Sequence, residues 1–215
     1  LLGFMTLAAV LPQLITEWDL TSTEAGWLGG IYFAGYVAAV PVLTTLTDRI
    51  DPKNIYLLSA VVAGLASIGF AFFAEGFWTG VVLRFLAGAG LGGTYMPGLK
   101  ALTDQLPAPS RSRGVTYYTG MFALGTAFSF LIGGEVAAAF GWRWTFITAG
   151  LGCFAGAMVI ALVLPAAGSR PPATPVLAAF GQLLRNRAVV GYMISYFGYA
   201  WEVFAFRVWV VAFLF

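Results

Sequence analysis

The sequence contains no histidine, a single cysteine and very little charge. Without imidazole there is no His-based acid–base relay and no imidazole-built metal site. Cys153 stands alone in an apolar run, so the chain holds no internal disulfide, and the residue reads as small packing. Charged residues make up 9% of the chain, against about 25% in a soluble domain. A net charge of +2 is too small to suggest a nucleic-acid partner. No G-x-x-x-x-G-K-[S/T] loop is present, which argues against ATP drive from this chain, and neither a cofactor nor a metal is expected. A cleavable leader pattern is missing as well. The chain starts at Leu1 inside one apolar run and finishes at Phe215 inside another, and both ends are expected to be cuts through a longer protein.

What is present is apolar: hydrophobic residues make up 60% of the chain. A bilayer core takes about 20 apolar residues per helix. Seven runs meet or approach that length: Leu1 to Ile15 (short), Gly26 to Leu46, Asn54 to Ala74, Phe77 to Leu99, Gly114 to Phe140, Trp144 to Pro165, and Ala188 to Leu214. They are too long for barrel strands and lack two-residue alternation. The fold class is therefore all-α, a polytopic membrane helix bundle. Cations set its orientation. Arg49, Lys53, Lys100, Arg111, Arg113, Arg170, Arg185 and Arg187 fall in loops on one side, and only Arg143 lies on the other. The cation-rich side is cytoplasmic. Trp18, Trp27, Trp78, Trp142 and Trp144 then fall at the outer face, as an aromatic belt would.

Three units follow: a six-helix bundle over 1–165, a cytoplasmic linker over 166–187, and the opening helix of a further bundle over 188–215. The linker holds Pro171, Pro172 and Pro175, which stiffen it. Thr174 and Pro175 fit the start of a short helix whose Leu177, Phe180 and Leu184 share one face. That pattern predicts an amphipathic helix on the inner membrane surface.

The fourth run is apolar except for Arg84. An intramembrane cation costs about 2.5–3.5 kcal/mol on insertion scales, so it is expected to face a partner or a water-filled cavity. Glu202 and Arg207 fall in the seventh run. At 1.5 Å per residue, Arg84 lies about 10 Å in from the outer end of its helix, and Glu202 about 21 Å out from the inner end of its own. Both depths fall in the outer-to-middle zone, so Arg84 and Glu202 are expected to face one cavity. Arg207 stands nearer the outer mouth, where it serves as an access-side cation or snorkels to headgroups. The first run contributes Thr6 and Gln13, which fit either a binding site or interhelical hydrogen bonds. Glu135 reads as interfacial, with a proton-carrying role left open. The remaining tyrosines of the fourth, fifth and seventh runs read as packing.

The loop from Thr44 to Asn54 is short, charged and cytoplasmic. Asp51 fits the N-cap of the third helix, with Pro52 its first residue. Asp48 and Arg49 need another explanation. As Thr44-x-x-x-Asp48-Arg49-x-Asp51-Pro52-Lys53, the loop resembles the signature that the major facilitator superfamily carries between its second and third helices, G-x-x-x-D-R-x-G-R-K. The Asp-Arg core and the final Lys match; both glycines and the middle Arg do not. The fourth helix, Arg84-x-x-x-Gly88-x-Gly90-x-Gly92-Gly93, is similar to the family's R-x-x-x-G-x-G motif. The sixth helix opens Gly141-Trp142-Arg143-Trp144, again similar, while the fifth lacks the Gly-Pro pair of drug–proton antiporters.

This resemblance implies a transporter in which the first, fourth and seventh helices face a central cavity. It implies a conformational latch at Asp48, Arg49 and Lys53, and close helix packing at Gly88, Gly90, Gly92, Gly93, Gly133 and Gly134. The aromatic, charged seventh helix looks like the bacterial nitrate/nitrite- or cyanate-type branch, although the second helix has no arginine where nitrate carriers are expected to hold one.

The expected function is secondary active transport of a small anionic solute by alternating access, with protons as a coupling ion, in the bacterial cytoplasmic membrane and as a monomer. Arg84, Glu202, Arg207, Thr6 and Gln13 are the expected binding residues. Transport of a neutral or cationic solute is the nearest alternative. A retinal photoreceptor would need an intramembrane lysine, and the two lysines, Lys53 and Lys100, sit at inner loops. An intramembrane enzyme would need a catalytic cluster around Glu135 or Glu202, and none is visible.

Overall fold

The structure is a computed structural model that describes residues 2–165 and 186–214. Seven helices account for nearly all of it: α1 (Thr6–Glu17), α2 (Ser22–Leu46), α3 (Pro52–Phe73), α4 (Phe77–Gln105), α5 (Ala108–Phe140), α6 (Trp142–Val163) and α7 (Arg187–Leu214). Five of them, α2, α3, α5, α6 and α7, are long and apolar enough to cross a membrane. The surface helix expected around 174–184 lies outside the described residues.

Helix starts follow local chemistry. Thr21 and Glu24 form a reciprocal capping box at α2: the Glu24 amide donates to Thr21 Oγ1 at 3.2 Å, and the Thr21 amide donates to Glu24 Oε2 at 2.9 Å. Asp51 caps α3 as expected, accepting from the Lys53 amide at 2.8 Å, with Pro52 at the first position. Between α1 and α2, Asp19 adopts φ +49°, a left-handed conformation that a short polar side chain tolerates. The opening of α1 is satisfied from a distant helix. Ser129 of α5 accepts from the Met5 amide at 3.0 Å and donates to the Leu2 carbonyl.

α4 is clasped between α2 and α3, and α3 in turn packs on α6. The outer core gathers Leu7, Leu11, Leu14, Leu28, Phe70 and Phe146, with Phe70 and Phe146 stacked at 4.1 Å. Trp142 is buried there, not in a headgroup belt. It packs edge-on against Trp18 at 5.7 Å, and its indole N–H donates to Glu17 at 2.6 Å. Trp27, Trp78 and Trp144 are exposed and do fit a belt. α7 leans on α1 through its outer half only: Val208, Trp209 and Ala212 pack against the outer core, whereas residues 191–199 are exposed throughout.

Candidate functional site

Four glycines let α4 come close to its neighbours. At Gly88 an added Cβ would run into the Tyr32 carbonyl of α2, and at Gly35 of α2 it would run into the Phe85 carbonyl of α4. Gly90 lies against α3, where a Cβ would stand 2.7 Å from the Ser59 carbonyl, and Gly93 meets the Ser59 side chain. Gly92 faces the Tyr36 carbonyl at 3.2 Å. Gly133 meets Thr145 and Ala9 at ordinary distances, while Gly134 has open space where its Cβ would be, so it lies at no tight crossing.

The α2–α4 crossing sets the environment of Arg84. Arg84 is 4% exposed, one turn before Gly88. Its guanidinium sits 4.2 Å from the ring centroid of Tyr32, one turn before Gly35. Its Nε is buried and has no acceptor. Among the described residues no carboxylate lies within ion-pairing distance of it. A desolvated guanidinium over an aromatic face gains about 2 kcal/mol or more from the ring quadrupole. The stacking leaves the Nε–H donor without an acceptor.

Tyr32 was not singled out by sequence reasoning. The available signal is its place among Gly29, Gly30 and Gly35, a small-residue stretch through which a partner helix can approach. Beside it lies an aromatic cluster: Phe4 meets Tyr32, Phe33, Phe122 and Phe204 edge-on at 5.4–6.3 Å, and Phe33 lies 4.5 Å from Phe204. A cavity of about 350 Å³ continues from Phe4 and Tyr32 toward the first turns of α3, walled by Tyr56, Tyr95, Tyr118 and Cys153.

The other expected binding residues do not converge on Arg84. Glu202 is exposed and falls two residues before Phe204, which is 200° around a helix, so it sits on the side of α7 away from the bundle. The expected facing of Arg84 and Glu202 across one cavity is therefore not formed in this structure. Arg207 is half-buried on the bundle side, its guanidinium 6.0 Å from the Phe204 ring. Thr6 is buried, but its hydroxyl donates to the Leu2 carbonyl at 2.8 Å, one turn back in the same helix. Gln13 is exposed. None of these five residues lines the 350 Å³ cavity.

At the inner end, Asp48 pairs with Lys100 of α4 at 2.9 Å, and the same ammonium donates to the Thr47 carbonyl and hydroxyl. Lys53 reaches across to α6 and donates to the carbonyls of Ala161, at 2.9 Å, and Leu164. Arg49 is exposed. Asp48 and Lys53 are thus engaged inside the six-helix unit.

The described residues thus form a helical bundle with a cavity between its helices and a buried guanidinium that pairs with no carboxylate among them. The comparisons with known proteins give the family. The family model for the Major Facilitator Superfamily matches residues 1–215. The niacin transporter NiaP of Acinetobacter baylyi is 28% identical over 145 residues, which is 67% of this chain and 33% of that protein. The benzoate transport protein of the same organism is 27% identical over 147 residues, 66% of this chain and 31% of that protein. Protein spinster homolog 1 of Bos taurus is 26% identical over 231 residues, covering 100% of this chain and 43% of that protein. The chain belongs to the Major Facilitator Superfamily, and it spans well under half the length of these relatives. Two of these names are those of transport proteins, and the expected leaning toward nitrate or cyanate carriers finds no support among them.

Proposed function

We propose that this chain belongs to a secondary carrier that moves a small organic anion by alternating access, with Arg84 as the anion's anchor. The observation that carries the reading is the buried Arg84 guanidinium, stacked on Tyr32 and paired with no carboxylate among the described residues. Niacin and benzoate, named in two relatives, are aromatic monocarboxylic acids and ionised at neutral pH. Their charge suits Arg84 and their ring suits the Phe4, Phe33 and Phe204 cluster beside Tyr32. Arg207 supplies a second cation nearer the outer mouth. Glu202 is the proposed proton carrier, reached when the bundles rearrange. Asp48, Arg49 and Lys53 are the proposed inner latch, and Asp48 and Lys53 are held within one bundle in this arrangement. The proposed location is the bacterial cytoplasmic membrane.

The test is uptake of radiolabelled benzoate and nicotinate by the full-length protein in proteoliposomes, with and without a proton gradient. A hydrogen bond to a charged group contributes about 1.5–3 kcal/mol, so Arg84→Gln should weaken apparent affinity by roughly 10- to 150-fold. Arg84→Lys should retain part of it. Wild-type uptake by Arg84→Gln would show that the cation serves the fold, not the cargo.

A further inference from the structure

Glu17 ends α1 with a charge of the wrong sign. A helix C-terminus carries partial negative charge, so a carboxylate there is disfavoured, and no basic residue in the last turn offsets it. The compensation comes from α6. Gly141, at φ +88°, turns α5 into α6 in a single residue and puts Trp142 at the first position of α6. The Trp142 indole N–H donates to Glu17 Oε2 at 2.6 Å. Arg143 stands 3.8 Å from Glu17 Oε1, with its guanidinium 4.6 Å from the Trp142 ring. Trp142 is 5% exposed, so its N–H needs an acceptor within the protein.

Trp18, Phe70, Trp142 and Phe146 form one ring cluster, with centroid distances of 4.1–6.1 Å. The outer end of α4 rests on it. A Cβ on Gly80 would stand 3.2 Å from the Trp18 ring and 3.5 Å from the Phe70 ring, and would also meet Leu28 of α2 at 2.9 Å. Gly80 is the one buried residue from Phe77 to Leu83, and the start of α4 has no side-chain cap. Packing around Gly80 therefore holds the outer turns of α4. Arg84 lies one turn inward on the same face.

We infer that Glu17 is a positioning residue for Arg84, acting from the outer rim through Trp142, Trp18 and the Gly80 contact. With Glu17 in place, the indole N–H is satisfied and the ring cluster stays closed under α4. Without it, a donor is orphaned among apolar rings, and the cluster must open to water to satisfy it. That opening frees the outer turns of α4, and with them the depth and direction of the guanidinium. The consequence for transport rests on the reading of Arg84 as the anion's anchor; the consequence for α4 does not.

The test uses the full-length protein. Hydrogen exchange in nanodiscs, read by mass spectrometry, should quicken at residues 77–84 by at least about fivefold in Glu17→Ala. Glu17→Gln should stay near wild type, because its amide oxygen still accepts from the indole. In a Trp142→Phe background, which has no donor to orphan, Glu17→Ala should change exchange little. In proteoliposomes, Glu17→Ala should raise the KM for benzoate or nicotinate by about 2- to 30-fold at unchanged Vmax per folded carrier. A merely destabilised protein would lose Vmax and keep its KM. Unchanged exchange at 77–84, or an equal effect of Glu17→Ala in both backgrounds, overturns the inference. So does a wild-type KM for Glu17→Ala where Arg84→Gln raises it. If Arg84→Gln also keeps a wild-type KM, or neither acid is taken up, the anchor reading fails, and exchange alone decides the role of Glu17.

Discussion

Replacing Gly88 by alanine tests how far the α2–α4 crossing controls Arg84. The new Cβ would lie 2.7 Å from the Tyr32 carbonyl carbon and nearer still to its oxygen. A carbon–carbon contact settles at about 3.5 Å. The helices must therefore part by at least about 0.8 Å, since the obstacle is backbone and no rotamer relieves it. A gap of that size forfeits a quarter to a half of the dispersion well at each neighbouring contact. Overpacking of this kind costs about 1–3 kcal/mol, and alanine returns about 1 kcal/mol through helix propensity. Net destabilisation of up to about 2 kcal/mol is expected, read as a lower melting temperature of the purified full-length protein in detergent. The Arg84–Tyr32 separation of 4.2 Å would widen to about 5 Å, toward the 6 Å limit of a useful cation–π contact. Anion affinity should fall with stability. Gly134→Ala is the control, because open space surrounds that position and alanine there should gain about 0.5–1 kcal/mol. If Gly88→Ala proves as stable and as active as Gly134→Ala, the crossing does not govern the site.

Lys53→Met removes the donor that satisfies the Ala161 and Leu164 carbonyls at the end of α6, and should cost about 1–2 kcal/mol in thermal unfolding, with Lys53→Arg recovering part of it. No change would mean that water replaces the ammonium there at no cost. Asp48→Asn should behave differently: its pair with Lys100 is over a third exposed on both sides, so stability should move by about 1 kcal/mol or less. A latch role predicts that uptake slows nonetheless, and a variant with normal uptake argues against it.

The spans were legible in the sequence because lipid imposes a length and a composition on anything that crosses it. The ends of α2 and α5 fell where the apolar runs stop, at Leu46 and Phe140. The α3 start was legible too, since Asp51 and Pro52 act within their own turn. The site was legible only in part, for a geometrical reason. Counting residues along a helix gives depth, and depth placed Arg84 and Glu202 in comparable zones. It does not give the face, and Glu202 lies on the side of α7 opposite Phe204. Faces are decided by which helices cross, and that depends on residues far apart in sequence. Tyr32 meets Arg84 because Gly35 and Gly88 let two backbones touch, a match between two helices that neither glycine shows alone. The same reasoning separates the two uses of glycine here. At Gly88 the missing side chain fixes a crossing that holds the cation's stacking partner in place. At Gly29 it only leaves room for Val208 of α7, and that contact holds no buried charge in place.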